Sequence, residues 1–131
     1  MTCIKELSAR MDDSSCMAEQ PLFTNEPKVI SLINEAQYAP NGIVSRTLFR
    51  ANGTRQVLFG FAEGQELTEH TSPHHALVQI LSGSCEFFLK GEPRTLRAGD
   101  QLYMPPGLPH AVQAKEAFSM LLTLVTVSPQ S

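Results

Sequence analysis

One stretch decides the fold of this chain: Gly99-Asp100-Gln101-Leu102-Tyr103-Met104-Pro105-Pro106-Gly107-Leu108-Pro109-His110. Its pattern predicts a glycine turn, a short strand, a proline-glycine corner, and a histidine that begins the next strand. Pro105, Pro106 and Pro109 each fix φ and lack a backbone donor, while Gly107 can adopt a positive φ. A corner this stiff, placed directly before His110, indicates a side chain held in a defined direction.

A second histidine-rich run, His70-Thr71-Ser72-Pro73-His74-His75, lies upstream of this corner. All 4 histidines of the chain fall within these two stretches. Neutral imidazole is a ligand for iron, manganese, nickel, copper and zinc. The concentration of histidines therefore favours a metal site over the alternative, an apolar pocket that carries a few polar groups.

The composition is that of a globular protein of one domain. The chain has 131 residues, of which 42% are hydrophobic and 18% are charged. A net charge of −3 without a basic cluster disfavours nucleic acid as a partner. No apolar run is long enough to span a membrane. The 3 cysteines lack metal-ligand spacing and a disulfide pattern, and the N-terminus lacks an apolar leader segment, so we expect a cytoplasmic protein.

Short apolar alternations separated by turns every eight to twelve residues or so predict an all-β fold. The strongest hairpin signal is Asn52-Gly53, because both residues tolerate a positive φ. The predicted domain covers residues 29–131, and its first apolar run, Val29–Ile33, has a strand-like composition. Residues 1–28 form an N-terminal extension. Ile4, Leu7 and Met11 follow a helical spacing there, and the alternatives are a short helix, a loosely ordered segment or an arm that packs on a partner subunit.

Alternation also predicts which side chains face the interior. Cys85 has no positive neighbour that would activate a thiolate, so it is interpreted as a small buried hydrophobe. Met104 and Met120 could also bracket a ligand, because thioethers adapt to irregular shapes. Tyr103 alternates with its neighbours and is expected to point outward or toward a partner subunit. The predicted inward faces are Val57/Phe59/Phe61, Val78/Ile80, Leu102/Met104 and Met120/Leu122.

The spacing of Gly99, Pro105, Gly107 and His110 resembles the second motif of the cupin superfamily. The first cupin motif is matched in part, by Gly64, His70 and Gly83. The resemblance covers roughly residues 44 to 127. It implies a double-stranded β-helix, the jelly-roll cupin barrel, with a pocket inside. More narrowly, the chain is similar to small single-domain bacterial cupins of undefined activity.

The same resemblance shows two departures. Where the first motif has its second histidine and its glutamate, this chain has Ser72 and Ala76. Two of the usual metal ligands therefore match, namely His70 and His110. Two histidines alone hold a metal weakly, and a useful site needs a third protein ligand and an open position.

His74 is the preferred candidate for that third ligand. Residues 70, 72, 74 and 76 of an extended strand point to one side, so His74 would face the same way as His70, although Pro73 weakens this parity. The alternatives are His75, and Gln79 in a different strand register. We therefore predict His70, His74 and His110 as ligands of a divalent transition metal such as Fe, Mn, Ni or Zn.

The resemblance implies dioxygenase, isomerase or decarboxylase chemistry on a small organic molecule, without choosing among them. Glu66 and Glu69 could act as a general base only if their loop brings them inward. An alternative is a metal-free cupin that binds a small ligand as a sensor or carrier. A metal-free epimerase is disfavoured, because no carboxylate is clearly placed beside His70 or His110. We also expect a homodimer, since pairing removes exposed strand edges.

Overall fold

The computed structural model describes residues 3–4 and 20–127. Strands dominate this part of the chain, and every strand pair in it is antiparallel. The elements are β1 (Cys3–Ile4), α1 (Leu32–Glu35), β2 (Ile43–Ala51), β3 (Thr54–Phe61), β4 (Glu66–His70), β5 (His75–Ser82), β6 (Ser84–Leu89), β7 (Glu92–Arg97), β8 (Gln101–Met104), β9 (His110–Gln113) and β10 (Phe118–Val125).

The strands form two sheets. The larger has the order β1-β2-β3-β10-β5-β8, and the smaller has the order β4-β9-β6-β7. Strands far apart in sequence are neighbours in both, since β10 lies between β3 and β5, and β9 lies between β4 and β6. This arrangement is a jelly roll, and it confirms the all-β fold predicted from the strand rhythm.

The β2–β3 hairpin shows why its sequence folds as it does. Asn52 has a φ of 49° and Gly53 a φ of 80°, the left-handed conformations that a tight hairpin turn requires. The register pairs Ala51 with Thr54 and Arg50 with Arg55. The hairpin predicted at Asn52-Gly53 is therefore present, and its turn fixes which side chains lie opposite each other.

The main core fills the space between the two sheets. Phe59, Phe61 and Phe118 stack in it: the ring centroids of Phe59 and Phe61 are 6.1 Å apart, and those of Phe61 and Phe118 are 4.5 Å apart. Burial of such aromatic and aliphatic area is the dominant stabilising contribution. Every residue predicted to face inward belongs to this core, with Leu102 partly buried at its margin.

A second apolar cluster lies outside the barrel. Leu48, Leu58 and Leu121 are buried there, under the segment that precedes β2. Two of the side chains that cover them are Leu22 and Phe23, whose segment forms backbone hydrogen bonds with β2. Their backbone N–H groups donate to the carbonyls of residues 47 and 48, at 3.1 and 2.7 Å.

The segment before β2 differs from its prediction in one respect. The strand-like run Val29–Ile33 is not a strand: Val29 is 97% exposed, and α1 begins at Leu32. Ser31 caps this helix, because its hydroxyl accepts a hydrogen bond from the Asn34 N–H. The apolar pattern of a run this short fits a strand and a helix equally well. The Ser31 cap therefore decides in favour of the helix.

The helical spacing predicted near the N-terminus falls mostly outside the described residues. Of that segment, Cys3–Ile4 form β1 and pair with Ser45 and Val44 of β2. Residues 1–2 and 5–19 lie outside the described part of the chain. Across residues 3–4 and 20–127, no helix has the length and apolar character needed to cross a bilayer.

Candidate functional site

A small cavity lies inside the barrel, between the two sheets. Its volume is about 20 Å³, which is room for a single ion or water. Its polar lining comes from His70, Ser72 and His110. The rest of the lining is apolar: Leu67, Ala76, Val78, Phe87, Met104, Val112, Met120, Leu122 and Leu124.

The register of the smaller sheet brings His70 and His110 together. They are direct partners across β4 and β9, after an irregularity between Leu67 and His70. Their ring centroids are 4.3 Å apart and the ring planes are inclined by 60°. His110 is buried and His70 is partly buried. The two imidazoles thus share one wall of the cavity.

Both rings are held in the same tautomer. The Nδ1 atom of His70 lies 2.8 Å from the Thr68 carbonyl, and that of His110 lies 2.8 Å from the Leu108 carbonyl. A carbonyl can only accept, so each Nδ1 carries the proton and donates it. Nε2 is then the free acceptor of each neutral ring. A backbone partner at the opposite nitrogen is the usual way in which a metal-binding histidine is oriented.

The Nε2 atom of His70 is buried and has no hydrogen-bond partner among the described residues. Leaving a buried polar atom unpaired costs free energy, so such an atom indicates that something else belongs beside it. Burial also lowers the pKa of His110 from its ordinary value, and nearby His70 lowers it further, against the opposing effects of the Leu108 carbonyl and Glu69. His110 is therefore suited to act as a neutral nitrogen ligand.

The proline-glycine corner connects the two histidine stretches. Gly107, at a φ of 85°, donates its N–H to the Ser72 carbonyl at 2.8 Å. The Leu108 N–H donates to the Pro105 carbonyl at 3.3 Å, which closes the turn that aims the Leu108 carbonyl at His110. The corner therefore positions the His110 ring through the Leu108 carbonyl. It also holds the loop that follows His70, through the bond from Gly107 to Ser72.

Of the predicted ligands His70, His74 and His110, the structure brings together the first and the last. His74 lines a different pocket. The strand parity used to place it fails because β4 ends at His70, and residues 71–74 turn before β5 begins. In that turn the His74 N–H donates to the Ser72 hydroxyl at 3.2 Å. Pro73, which cannot continue a strand ladder, is the sequence signal of this break.

The alternative ligands also lie outside the cavity. The Nδ1 atom of His75 is 2.8 Å from the Tyr103 hydroxyl, and Gln79 is exposed. Glu66 and Glu69 are exposed as well, so neither is placed as a base. Within the described part of the chain, no group of three or more histidine, cysteine, aspartate or glutamate residues is arranged to hold a metal ion. The cavity offers two imidazoles and no carboxylate.

Two imidazoles with free Nε2 atoms fit a divalent transition metal, since neutral nitrogen is a donor that iron, nickel and zinc accept. The fit is limited to these two side-chain nitrogens. Ser72 offers a hydroxyl, and Ala76 offers no donor. An ion held here would have coordination positions that these two side chains do not fill.

Comparison with known proteins agrees with this architecture. The family model for the cupin domain matches residues 57–126. A conserved protein of unknown function from Streptococcus pyogenes is 35% identical, with a TM-score of 0.74 over 85% of this chain and 98% of its own. A cupin superfamily protein from Desulfitobacterium hafniense is 24% identical, with a TM-score of 0.73 over 83% and 98% of the two chains. An uncharacterised Aquifex aeolicus protein is 27% identical over 105 residues, which are 78% of this chain and 87% of the relative.

Proposed function

This chain belongs to the cupin superfamily, and we propose that it holds a divalent transition metal on His70 and His110 and acts on a small organic molecule. The observation that carries the proposal is the matched pair of Nε2 atoms. Each opposite nitrogen is engaged by a backbone carbonyl, and the His70 Nε2 is buried without a partner in the described residues.

A metal bound here would polarise a carbonyl or carboxylate oxygen of the substrate. Such polarisation would serve an isomerase or decarboxylase reaction, whereas a dioxygenase reaction would need a redox-active metal such as iron. The chain's own residues supply the rest of the environment. The apolar lining, which includes Met104 and Met120, gives the cavity a low dielectric constant, and electrostatic interactions are stronger there than in water. The proline-glycine corner holds the His110 ring in place, so little reorganisation is needed when a ligand binds.

One observation favours a second candidate, a metal-free cupin that binds a ligand as a sensor or carrier. The two remaining ligand positions of the motif hold Ser72 and Ala76, and the cavity has no carboxylate lining. In this case the free Nε2 atoms would accept hydrogen bonds from the hydroxyl or N–H groups of a small molecule. Both candidates take a small molecule rather than nucleic acid as partner. We propose that either would operate in the cytoplasm.

Metal titration of the protein without a histidine tag tests the proposal. We expect saturable binding of one ion per chain for at least one of Mn²⁺, Fe²⁺, Ni²⁺ and Zn²⁺, measured by calorimetry under anaerobic conditions. His70→Ala and His110→Ala should each weaken binding by about tenfold or more, the effect expected when one of two protein ligands is removed.

His75→Ala is the matched control, because His75 lies in the same histidine run but outside the cavity. It should retain the affinity of the parent protein. A parent protein that takes up no stoichiometric metal would refute the metal proposal and favour the metal-free candidate. An equal loss in His75→Ala would show that binding is not at the cavity.

A further inference from the structure

The hydroxyl of Ser72 is a polar group of the barrel cavity whose hydrogen-bonding capacity the protein uses only in part. The residue is 9% exposed and lines the cavity together with His70 and His110. Its Oγ atom accepts a hydrogen bond from the His74 N–H at 3.2 Å. A serine hydroxyl also carries one proton to donate, and no acceptor among the described residues receives it. The cavity therefore contains a buried donor that a bound molecule can satisfy.

Backbone hydrogen bonds hold this hydroxyl in position. The Ser72 carbonyl accepts a bond from the Gly107 N–H at 2.8 Å, so the proline-glycine corner fixes the backbone of residue 72. The bond from the His74 N–H fixes the Oγ atom from the far side of Pro73, whose ring restricts φ. A donor that is already oriented loses little conformational freedom when a ligand binds. The Ser72 hydroxyl is therefore preorganised for binding.

The cavity lining does not balance the charge of the proposed metal. His70 and His110 would bind through neutral rings, so a divalent ion held by them keeps its full positive charge. No aspartate or glutamate is among the described residues that line the cavity, and Glu66 and Glu69 of β4 are exposed. An uncompensated charge in apolar surroundings is costly. A metal bound here would therefore favour a ligand that carries negative charge.

The size of the cavity and the free proton of Ser72 narrow the chemistry of that ligand. The volume is about 20 Å³, so only a compact group can approach the histidine pair. A carboxylate is planar and compact, whereas a phosphate group is tetrahedral and bulkier. A hydrogen bond from a hydroxyl to a charged oxygen is also stronger than one between neutral groups. A carboxylate therefore satisfies both the charge of the metal and the Ser72 donor.

We propose that the barrel cavity binds the carboxylate group of a small organic acid, and that the Ser72 hydroxyl donates a hydrogen bond to one carboxylate oxygen. This inference rests on the proposed function, because the metal on His70 and His110 would compensate the charge of the carboxylate. It assigns the substrate to the class of small organic acids. Where the first cupin motif has its second histidine, this chain thus has a residue that contacts the ligand instead of the metal.

Calorimetric titration with formate, the simplest carboxylate, tests the inference. The protein is loaded with the ion that binds most tightly of Mn²⁺, Fe²⁺, Ni²⁺ and Zn²⁺. We expect saturable binding of formate to the loaded protein, and none to the metal-free protein at the same concentrations. Formamide, which is similar in size but neutral, should bind the loaded protein more weakly by about tenfold or more. This comparison uses the parent protein, so it does not depend on the folding of a variant.

Ser72→Ala should weaken formate binding by about tenfold or more, because a hydrogen bond to a charged oxygen is lost. The matched control is Ser84→Ala, which removes a hydroxyl that donates to Glu116 outside the cavity at 2.7 Å. This control should bind formate as the parent does. Thermal unfolding establishes that both variants are folded, and metal titration compares their ion affinities. A loss of formate affinity in Ser72→Ala that exceeds any loss of metal affinity supports contact with the ligand.

The outcomes separate this inference from the metal proposal. Metal binding without formate binding would overturn the inference and leave the metal proposal intact, whereas a parent that takes up none of the four ions would refute both. Equal affinities for formate and formamide would contradict the charge argument. An equal loss of formate binding in Ser72→Ala and Ser84→Ala would remove Ser72 from the site. Parallel losses of metal and formate affinity in Ser72→Ala would make the residue a metal ligand instead.

Discussion

Burial determines the chemistry of Cys85. This residue is 2% exposed on β6, within the main core, and burial raises the pKa of its thiol to about 12, with a smaller contribution from Glu86. The thiolate is the reactive form, so a raised pKa makes the side chain inert. We expect Cys85 to resist a disulfide-exchange reagent at pH 8 in a background where Cys3 and Cys16 are serine. Rapid modification of the native protein would contradict this expectation, and the unfolded protein provides the positive control.

The same shift predicts how stability depends on pH. The native thiol keeps its proton up to a pKa of about 12, whereas the ordinary value is 9.0. Above pH 9 the unfolded chain therefore binds fewer protons than the native protein, and the free energy of unfolding falls as pH rises. The contribution of Cys85 is fully present below pH 9 and is lost as pH rises toward 12. Cys85→Ala should flatten this part of a stability profile measured by denaturant unfolding.

At the residue scale, the sequence alone places His70 and His110, because glycine and proline spacing fixes the turns around them. It does not place His74, since a strand parity argument holds only while the strand continues. The chain turns after His70, and Ser72 stabilises the turn with its hydroxyl.

The β5–β6 turn requires glycine at position 83 for two separate reasons. Gly83 has a φ of 76°, and a Cβ atom there would lie 2.3 Å from the Ala117 carbonyl oxygen. Gly91, in the β6–β7 turn, has a φ of 83°, but a Cβ atom there would meet nothing within 4 Å. The two glycines share the strained backbone conformation and differ in the available space.

Replacing each glycine with alanine therefore distinguishes the cost of the backbone conformation, which both variants incur, from the cost of a steric clash, which only Gly83→Ala incurs. We expect Gly91→Ala to lower the free energy of unfolding by about 1 kcal/mol, the cost of a left-handed conformation. Gly83→Ala should lower it by about 3 kcal/mol or more, because the Ala117 carbonyl must also move. Denaturant unfolding measures both values. Equal losses would show that the Ala117 segment adjusts without cost.

At the element scale, strands are predictable wherever core-facing apolar residues recur at every second position, as in β5 and β6. The alternation follows from the geometry of a strand between core and solvent. The run Val29–Ile33 is too short to show such an alternation, because five apolar or small residues fit a strand, a loop or the start of a helix. The capping hydroxyl of Ser31 and the packing of Leu32 on the outer cluster decide its structure.

For the molecule as a whole, the free edge of the larger sheet is the feature that bears on assembly. Within the described part of the chain, β8 pairs with β5 on one side alone and ends the sheet. Tyr103 of β8 is 49% exposed, stacks on His75 with ring centroids 6.0 Å apart, and shares a hydrogen bond with it. An exposed strand edge is a template for pairing, and an ordered aromatic side chain is a favoured contact at interfaces.

We therefore propose that two copies of the chain associate through this edge as a symmetric dimer. Sedimentation at micromolar concentration should give twice the 14.4 kDa mass of one chain. Tyr103→Glu should shift the protein toward monomer, because a carboxylate placed in the contact loses its hydration. Val29→Glu is the control, since Val29 is 97% exposed and lies in a different part of the fold. A monomeric parent would refute the dimer, and a dimer that persists in Tyr103→Glu but is lost in Val29→Glu would move the interface to the segment that precedes β2.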